Sequence, residues 1–129
     1  MTTDIVALGI AGLSQALKNG DVSAGEATRF YLDRISQQNE MLHAFIAVTE
    51  DLALSQAKES DARRSNGASL GPLDGIPIAL KDNIDVAGIP TTGGIEAYRN
   101  SVAKEDADVV RRLREAGAVI LGKLNLHEG

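Results

Sequence analysis

The sequence predicts an α/β protein in which an N-terminal helical layer and later helices cover the first strands of a mixed sheet. Segments with apolar residues at helical spacing alternate with short apolar runs of strand length. The run at 118–121 is apolar throughout, which predicts a strand buried on both faces, as in a parallel sheet. The 129 residues are enough for one modest domain with a core of its own.

Two helices are predicted at the start of the chain. Apolar residues recur at helical spacing over 10–18, and Asn19-Gly20 gives a typical C-terminal stop. The second helix, over 24–38, follows Ser23 with Glu26 three residues later, which is the pattern of a capping box.

The middle of the chain predicts a strand, a third helix and a second strand. The apolar run 44–48 is too short for a helix and predicts a buried strand. Thr49 followed by two acids predicts a helix start, and Asn66-Gly67 predicts its end. The segment 76–80 predicts the second strand, with Pro77 at its beginning or on a sheet edge because proline has no N–H to donate.

The last third of the chain predicts a loop, a helix and the final buried strand. Glycine and proline between 88 and 94 break the chain into a loop. Asp106 has the position of an N-cap for a helix over 107–116, which Gly117 ends, and the strand over 118–121 follows.

Composition excludes several classes of function. There is no cysteine, so disulfides, thiolate metal sites and cysteine nucleophiles are ruled out. A net charge of −5 and 3% aromatic residues argue against nucleic-acid binding. No apolar stretch reaches the length of a membrane span, and no basic region precedes the first apolar residues, so we expect a cytoplasmic protein without membrane partners.

Three weak motifs have simpler explanations. The segment 117–123 has the spacing of a phosphate-binding loop, but Leu124 replaces the required hydroxyl and the intervening residues predict a strand. The two histidines, His43 and His127, lie far apart and in no metal-ligand spacing. The acids of 105–108 are better explained as helix N-terminal charges than as a cation site. We therefore expect neither a metal nor a cofactor.

Lys81 is the candidate functional residue. Most lysines are solvated surface charges. This one directly follows an apolar strand, and α/β sheets place their sites at the carboxyl ends of strands. Glycine- and proline-rich loops come after it, with backbone that can approach a ligand.

The segment 71–83, which reads GPLDGIPIALKDN, resembles the lysine block of the amidase-signature family. Pro90-Thr91-Thr92 is similar to the threonine pair that follows that block, and 106–110 and 117–123 continue in the family's order. The residues before 70 match the family's helical layer more loosely. The resemblance covers nearly all of the chain, and it implies an incomplete amidase-signature fold.

The resemblance implies an enzyme that hydrolyses amide bonds of a small-molecule substrate through a Ser–cis-Ser–Lys triad. Lys81 matches the catalytic lysine, whereas both serines and the oxyanion-hole amides belong to family segments beyond Gly129. A lysine acts as a base only when it is neutral, and burial disfavours the charged form. Because successive strand residues point to opposite faces, Asp82 need not keep Lys81 charged.

The resemblance implies one domain of which 1–129 is the N-terminal part, with a helical layer over 1–70 and the lysine-bearing strand, loop, helix and strand over 71–129. Leu124 and Ile95 depart from the residues common in relatives, which bears on substrate shape more than on chemistry. The segment 125–128 resembles general amidases more than their amidotransferase relatives. The alternatives are the glutaminase subunit of a transfer-RNA-dependent amidotransferase and a non-catalytic fragment or interaction module. A second copy or companion subunits are the protein partners left open.

Overall fold

A computed structural model describes residues 5–42, 45–91 and 102–124. These residues form four helices and three strands, and none of the helices has the length and apolarity that crossing a membrane requires. The elements in chain order are α1 (Ile5–Asn19), α2 (Ala24–Leu42), β1 (Phe45–Val48), α3 (Glu50–Ser65), β2 (Pro77–Lys81), α4 (Asp108–Glu115) and β3 (Val119–Leu124).

The three strands form one mixed sheet in the order β1-β3-β2. The central strand β3 runs parallel to β2 and antiparallel to β1. Pro77 is the first residue of β2, and β2 lies at an edge, so both parts of its predicted placement are confirmed. The predicted α/β class with a helix-covered mixed sheet is therefore confirmed.

Two apolar clusters cover opposite faces of the central strand. Val119 and Leu121 pack with buried residues of α1, α2 and α3. Ile120, between them, packs instead with Leu80 of β2 and Val110 of α4. Because alternate residues of β3 are buried in different clusters, this strand has no solvent-facing side, as its apolar sequence predicted.

The first two helices are present where predicted, but α1 begins at Ile5 instead of residue 10 and α2 ends at Leu42 instead of residue 38. Gly9, with φ of 66°, breaks α1, and the part after this break is the predicted helix over 10–18. The capping box is confirmed, since Glu26 N donates to Ser23 Oγ at 2.9 Å and Ser23 N donates to the Glu26 carboxylate at 3.1 Å. Asp61 of α3 accepts two further N–H groups of α2, at 2.7 and 3.0 Å, and joins the two helices.

The sequence predicts Thr49 and Asp106 as helix N-caps, and the contacts predicted for both side chains were wrong. Thr49 occupies the N-cap position of α3, but its hydroxyl donates to Ile120 O of β3 at 2.8 Å and caps no helix N–H. The N-cap of α4 is Ala107, not Asp106. The Asp106 carboxylate instead accepts Ala87 N at 2.8 Å and pairs with Arg114 at 2.7 Å. In both cases the side chain that the local pattern assigns to a cap binds a residue distant in sequence instead.

A bulge in β3 changes its register against β2. Ile78 pairs with Ile120, but the next residue, Ala79, pairs with Gly122, so Leu121 is the extra residue. Side chains of α3 and the turn before it bind the irregular segment: Gln56 accepts Ile120 N at 2.8 Å, and Thr49 binds Ile120 O. Glycine is required beside the bulge, because a Cβ at 122 would collide with the backbone of β1.

A buried ion pair fixes the turn that leads into β2. Two guanidinium nitrogens of Arg63, Nη2 and Nε, donate to the Asp74 carboxylate at 2.6 and 3.0 Å. Leu70 N donates to the same carboxylate at 2.9 Å. Burial raises the pKa of Asp74, but the bonds from Arg63 and Leu70 outweigh it and leave that pKa below its usual value. The pair is therefore more stable with Asp74 ionised.

We predict that Asp74→Asn lowers the free energy of unfolding by about 3 kcal/mol, because it leaves Arg63 without its carboxylate. The folded-state pKa of Asp74 is depressed, so its contribution is complete above the usual value of 3.8 and is lost as the pH falls through the folded-state value. Denaturant unfolding at several acidic pH values measures both effects. Arg111→Gln, which removes an exposed pair with Asp108, should cost less than about 1 kcal/mol. Equal losses in the two variants would contradict this account of Asp74.

Candidate active site

Lys81 is the last residue of β2, as the sequence predicts. Its neighbour on β3 is Leu124, so the two parallel strands end at the same edge of the sheet. The Lys81 side chain is exposed there, and no ion pair to it exists among the described residues. The site thus presents a primary amine at the carboxyl end of a parallel strand, where a ligand in an α/β protein can approach it.

The residues after Lys81 form a tight turn. Ile84 N donates to Lys81 O at 3.0 Å, and Asp82 N donates to Leu124 O at 3.0 Å, which holds the turn against β3. Asp82 is fully buried although its neighbour Lys81 is exposed. The two neighbouring side chains therefore lie in different environments, and Asp82 is in the turn and not in β2 itself.

A second lysine, Lys123, lies buried beneath this turn. Its exposed fraction is 0%, and its Nζ is 3.8 Å from the Asp82 carboxylate. The same nitrogen donates to Ile84 O and, at 3.4 Å, to Thr91 Oγ1. One cation thus contacts three points of the loop that follows Lys81.

Burial lowers the pKa of the Lys123 ammonium below its usual value of 10.5, and the carboxylates of Asp82 and Asp85 act in the opposite direction. A buried ammonium is costly unless it is paired and hydrogen-bonded. The contacts to Asp82, Ile84 and Thr91 supply that compensation.

The importance of Lys123 was missed in the sequence. It entered only as the last residue of a phosphate-loop spacing, which the strand structure of β3 excludes as a phosphate cradle. The missed signal is the charge itself, which directly follows the apolar run 118–121 and Gly122. A lysine that continues a fully buried strand needs a carboxylate nearby, and Asp82 is that carboxylate.

The remaining candidates add no second site. The described residues contain no group of side chains suited to hold a metal ion. Within the 105–108 segment, Asp106 and Asp108 pair with arginines of α4. His43, His127, Ile95 and the segment 125–128 lie outside the described residues.

The fold is α/β and Lys81 ends one of its strands, as the sequence resemblance implies. The sequence model of the family described as Amidase matches residues 26–129. The chain therefore belongs to the amidase family.

Curated relatives include subunits of glutamyl-tRNA(Gln) amidotransferases. The amidotransferase subunit from Thermobifida fusca (strain YX) is 46% identical over 126 residues, which cover 98% of this chain and 25% of the relative. Its counterpart from Chloroflexus aurantiacus (strain ATCC 29366 / DSM 635 / J-10-fl) is 44% identical over 126 residues, which cover 98% of this chain and 26% of the relative. The chain thus spans about a quarter of the length of these relatives.

Solved structures with the same fold include amidases. The native peptide amidase from Stenotrophomonas maltophilia has a TM-score of 0.85 and 42% identity, over 91% of this chain and 24% of that one. An amidase family protein from Bacillus anthracis str. Ames has a TM-score of 0.87 and 31% identity, over 95% and 25% of the two chains.

We predict that Lys123 makes stability rise with pH. Its folded-state pKa is depressed, so between that value and 10.5 the unfolded chain binds more protons and the free energy of unfolding should increase with pH. Denaturant titrations across this window measure the slope. Lys123→Met should remove this contribution, whereas Lys18→Met, at an exposed lysine of α1, should keep the wild-type slope. An unchanged slope in Lys123→Met would show that the Lys123 pKa is the same in the folded and unfolded states.

Proposed function

We propose that this chain is the N-terminal segment of an amidase that hydrolyses carbon–nitrogen amide bonds, with Lys81 as the base of a Ser–cis-Ser–Lys triad. Residues 1–129 would form the first part of a single amidase domain. The two serines would come from residues that follow this segment. The substrate would be a small-molecule amide, and the reaction would use no cofactor.

The position of Lys81 is the observation that supports this proposal best. The amine ends β2, is exposed, and lies in a segment where the amidase family model matches the sequence. The turn after Lys81 turns Asp82 away from it and into the pair with Lys123. Asp82, the carboxylate nearest to Lys81 in sequence, is thus already paired with Lys123.

The proposed chemistry requires a neutral Lys81. Packing of the remaining domain over the exposed amine would remove water from it and favour the uncharged form. The amine would then take the proton of the nucleophilic serine through the bridging serine, as the serine oxygen attacks the amide carbonyl. The proton would pass to the departing amine, and water would hydrolyse the acyl-enzyme along the reverse route.

The second candidate is the glutaminase subunit of a transfer-RNA-dependent amidotransferase. The identity of 46% to a subunit of a glutamyl-tRNA(Gln) amidotransferase favours it, whereas 42% identity to a peptide amidase favours an independent amidase. The two differ in what activates them. An amidase should turn over small amides alone, and an amidotransferase subunit should require companion subunits to transfer ammonia to transfer RNA.

We predict that Lys81→Ala in the full-length protein lowers kcat about a hundredfold or more, because positioned acid–base groups contribute about 10² to 10⁴. Lys81→Arg should lose nearly as much, since a guanidinium retains its proton at any working pH and cannot act as a base. Steady-state hydrolysis of a panel of carboxamides, including glutamine, measures kcat for each variant.

The arginine variant is the more specific test, because it keeps the positive charge and much of the side-chain bulk. Circular dichroism and thermal unfolding establish that each variant is folded. Lys104→Ala, which removes a lysine outside the proposed site, provides the control and should retain wild-type kcat. A folded Lys81→Arg enzyme with wild-type kcat would refute the catalytic role of Lys81.

We also predict that residues 1–129 alone hydrolyse no amide above background, because the proposed nucleophile lies outside this segment. Loss of triad members removes orders of magnitude in rate. The measurement is prolonged incubation of the purified segment with the same carboxamides. A preparation of the segment carrying Lys81→Ala controls for contaminating hydrolases. Turnover that this substitution abolishes would show that the segment holds a complete site.

A further inference from the structure

The contacts of Lys123 converge on one short stretch of chain. Its Nζ contacts the side chain of Asp82 and the carbonyl of Ile84, which are one and three residues after Lys81. It also contacts the Thr91 hydroxyl, which lies seven residues beyond Ile84 in the chain that leaves this turn. The cation therefore joins β3 to the backbone that determines where Lys81 lies.

The bulge in β3 sets which face of the sheet Lys123 occupies. Directly paired residues of parallel strands share a face, and Lys123 pairs with Leu80. In a regular ladder continued from the Ile78–Ile120 pair, Leu121 would pair with Ala79, and Lys123 would then pair with Lys81. The bulge therefore separates two amines that would otherwise lie side by side, and it places Lys123 beneath the turn.

Stability alone does not account for an ammonium in this position. A buried ion pair often contributes no more than apolar residues of the same volume, because desolvation offsets the attraction between the charges. Lys123 is fully buried and pairs with Leu80, a member of the second core cluster, so an apolar side chain at this position would also be buried. What an apolar side chain lacks is a directed bond to Ile84 O and Thr91 Oγ1.

We propose that Lys123 is a positioning residue for Lys81: its buried ammonium fixes the turn 81–84 and thereby the place of the catalytic amine. This inference rests on the proposed role of Lys81 as the base. Lys123 touches no reacting atom in this proposal and acts only through the backbone of the turn. Displacement of a catalytic group by about 1 Å can cost about a hundredfold in rate, so such a tether affects kcat.

The first test replaces Lys123 in the full-length enzyme. Lys123→Met removes the ammonium and keeps a flexible side chain of similar length. Because this variant leaves Asp82 buried without that cation, Lys123→Met/Asp82→Asn is made in parallel to remove both charges. We expect kcat to fall at least tenfold in both folded variants and KM to stay within about twofold, since the misplaced base affects the chemical step rather than ground-state binding.

The second test is a double-mutant cycle with Lys81→Ala. If Lys123 acts through Lys81, its replacement has little further effect on kcat once the Lys81 amine is absent. A role of Lys123 in stability, or in a different part of the site, would lower kcat by the same factor in both backgrounds. Equal factors would therefore overturn the proposal.

Asp74→Asn is the matched control, because it breaks the other buried ion pair, at the opposite end of β2. It should reduce stability and leave kcat unchanged at temperatures where the protein is folded. Thr91→Val, which retains the Lys123–Asp82 pair, replaces the Lys123 variants if those do not fold, and it should lower kcat severalfold with KM unchanged. Wild-type kcat in a folded Lys123→Met enzyme, or in Thr91→Val where the Lys123 variants do not fold, would overturn the proposal.

Failure of this inference is distinguishable from failure of the proposed function. If Lys81→Ala retains wild-type kcat, the base assignment fails and Lys123 has no catalytic group to position. If Lys81→Ala loses activity but the Lys123 variants do not, the base assignment stands and only the positioning role is refuted.

Discussion

The structure around β3 depends on one constraint, which is that a charged side chain lies inside the protein. The Lys123 side chain is fully buried, so its ammonium needs charged and hydrogen-bonding partners inside the protein. The turn after β2 supplies an ion pair with Asp82 and a hydrogen bond to Ile84 O, and Thr91 Oγ1 accepts a second hydrogen bond. The chain from Asp82 to Thr91 is thus attached to β3 at three points because the buried charge of Lys123 must be paired and hydrogen-bonded.

That constraint extends to the helices through the bulge. The extra residue in β3 frees backbone groups of Ile120 from the regular ladder. Gln56 of α3 and Thr49, which precedes α3, bind those groups. The helix thereby stabilises an irregular strand, and the irregular strand sets the face on which Lys123 lies. The register of β3, the position of α3 and the turn after Lys81 are therefore connected through contacts of β3.

Local signals predicted the order of helices and strands, although β1, predicted as a buried strand, exposes Ile46 and Val48. The capping box at Ser23, the stop at Asn19-Gly20 and the start of β2 at Pro77 each depend on residues close in sequence, and each is confirmed. Thr49 and Asp106 show the limit of such signals. Their polar side chains fit a helix cap by local pattern, yet each binds a partner elsewhere, because strands and loops that pack nearby compete for the same oxygen atoms.

The sequence by itself determined the α/β class, the helix and strand order, and Lys81 as the residue at the end of β2, because spacing, capping and strand alternation act over short distances. Only the tertiary structure decided the surroundings of Lys123. Its place beneath the turn depends on a bulge that no periodicity in the sequence indicates. Its charge is paired with that of Asp82, which is far from it along the chain. A buried charge is defined by what surrounds it, and that is known only when the chain is folded.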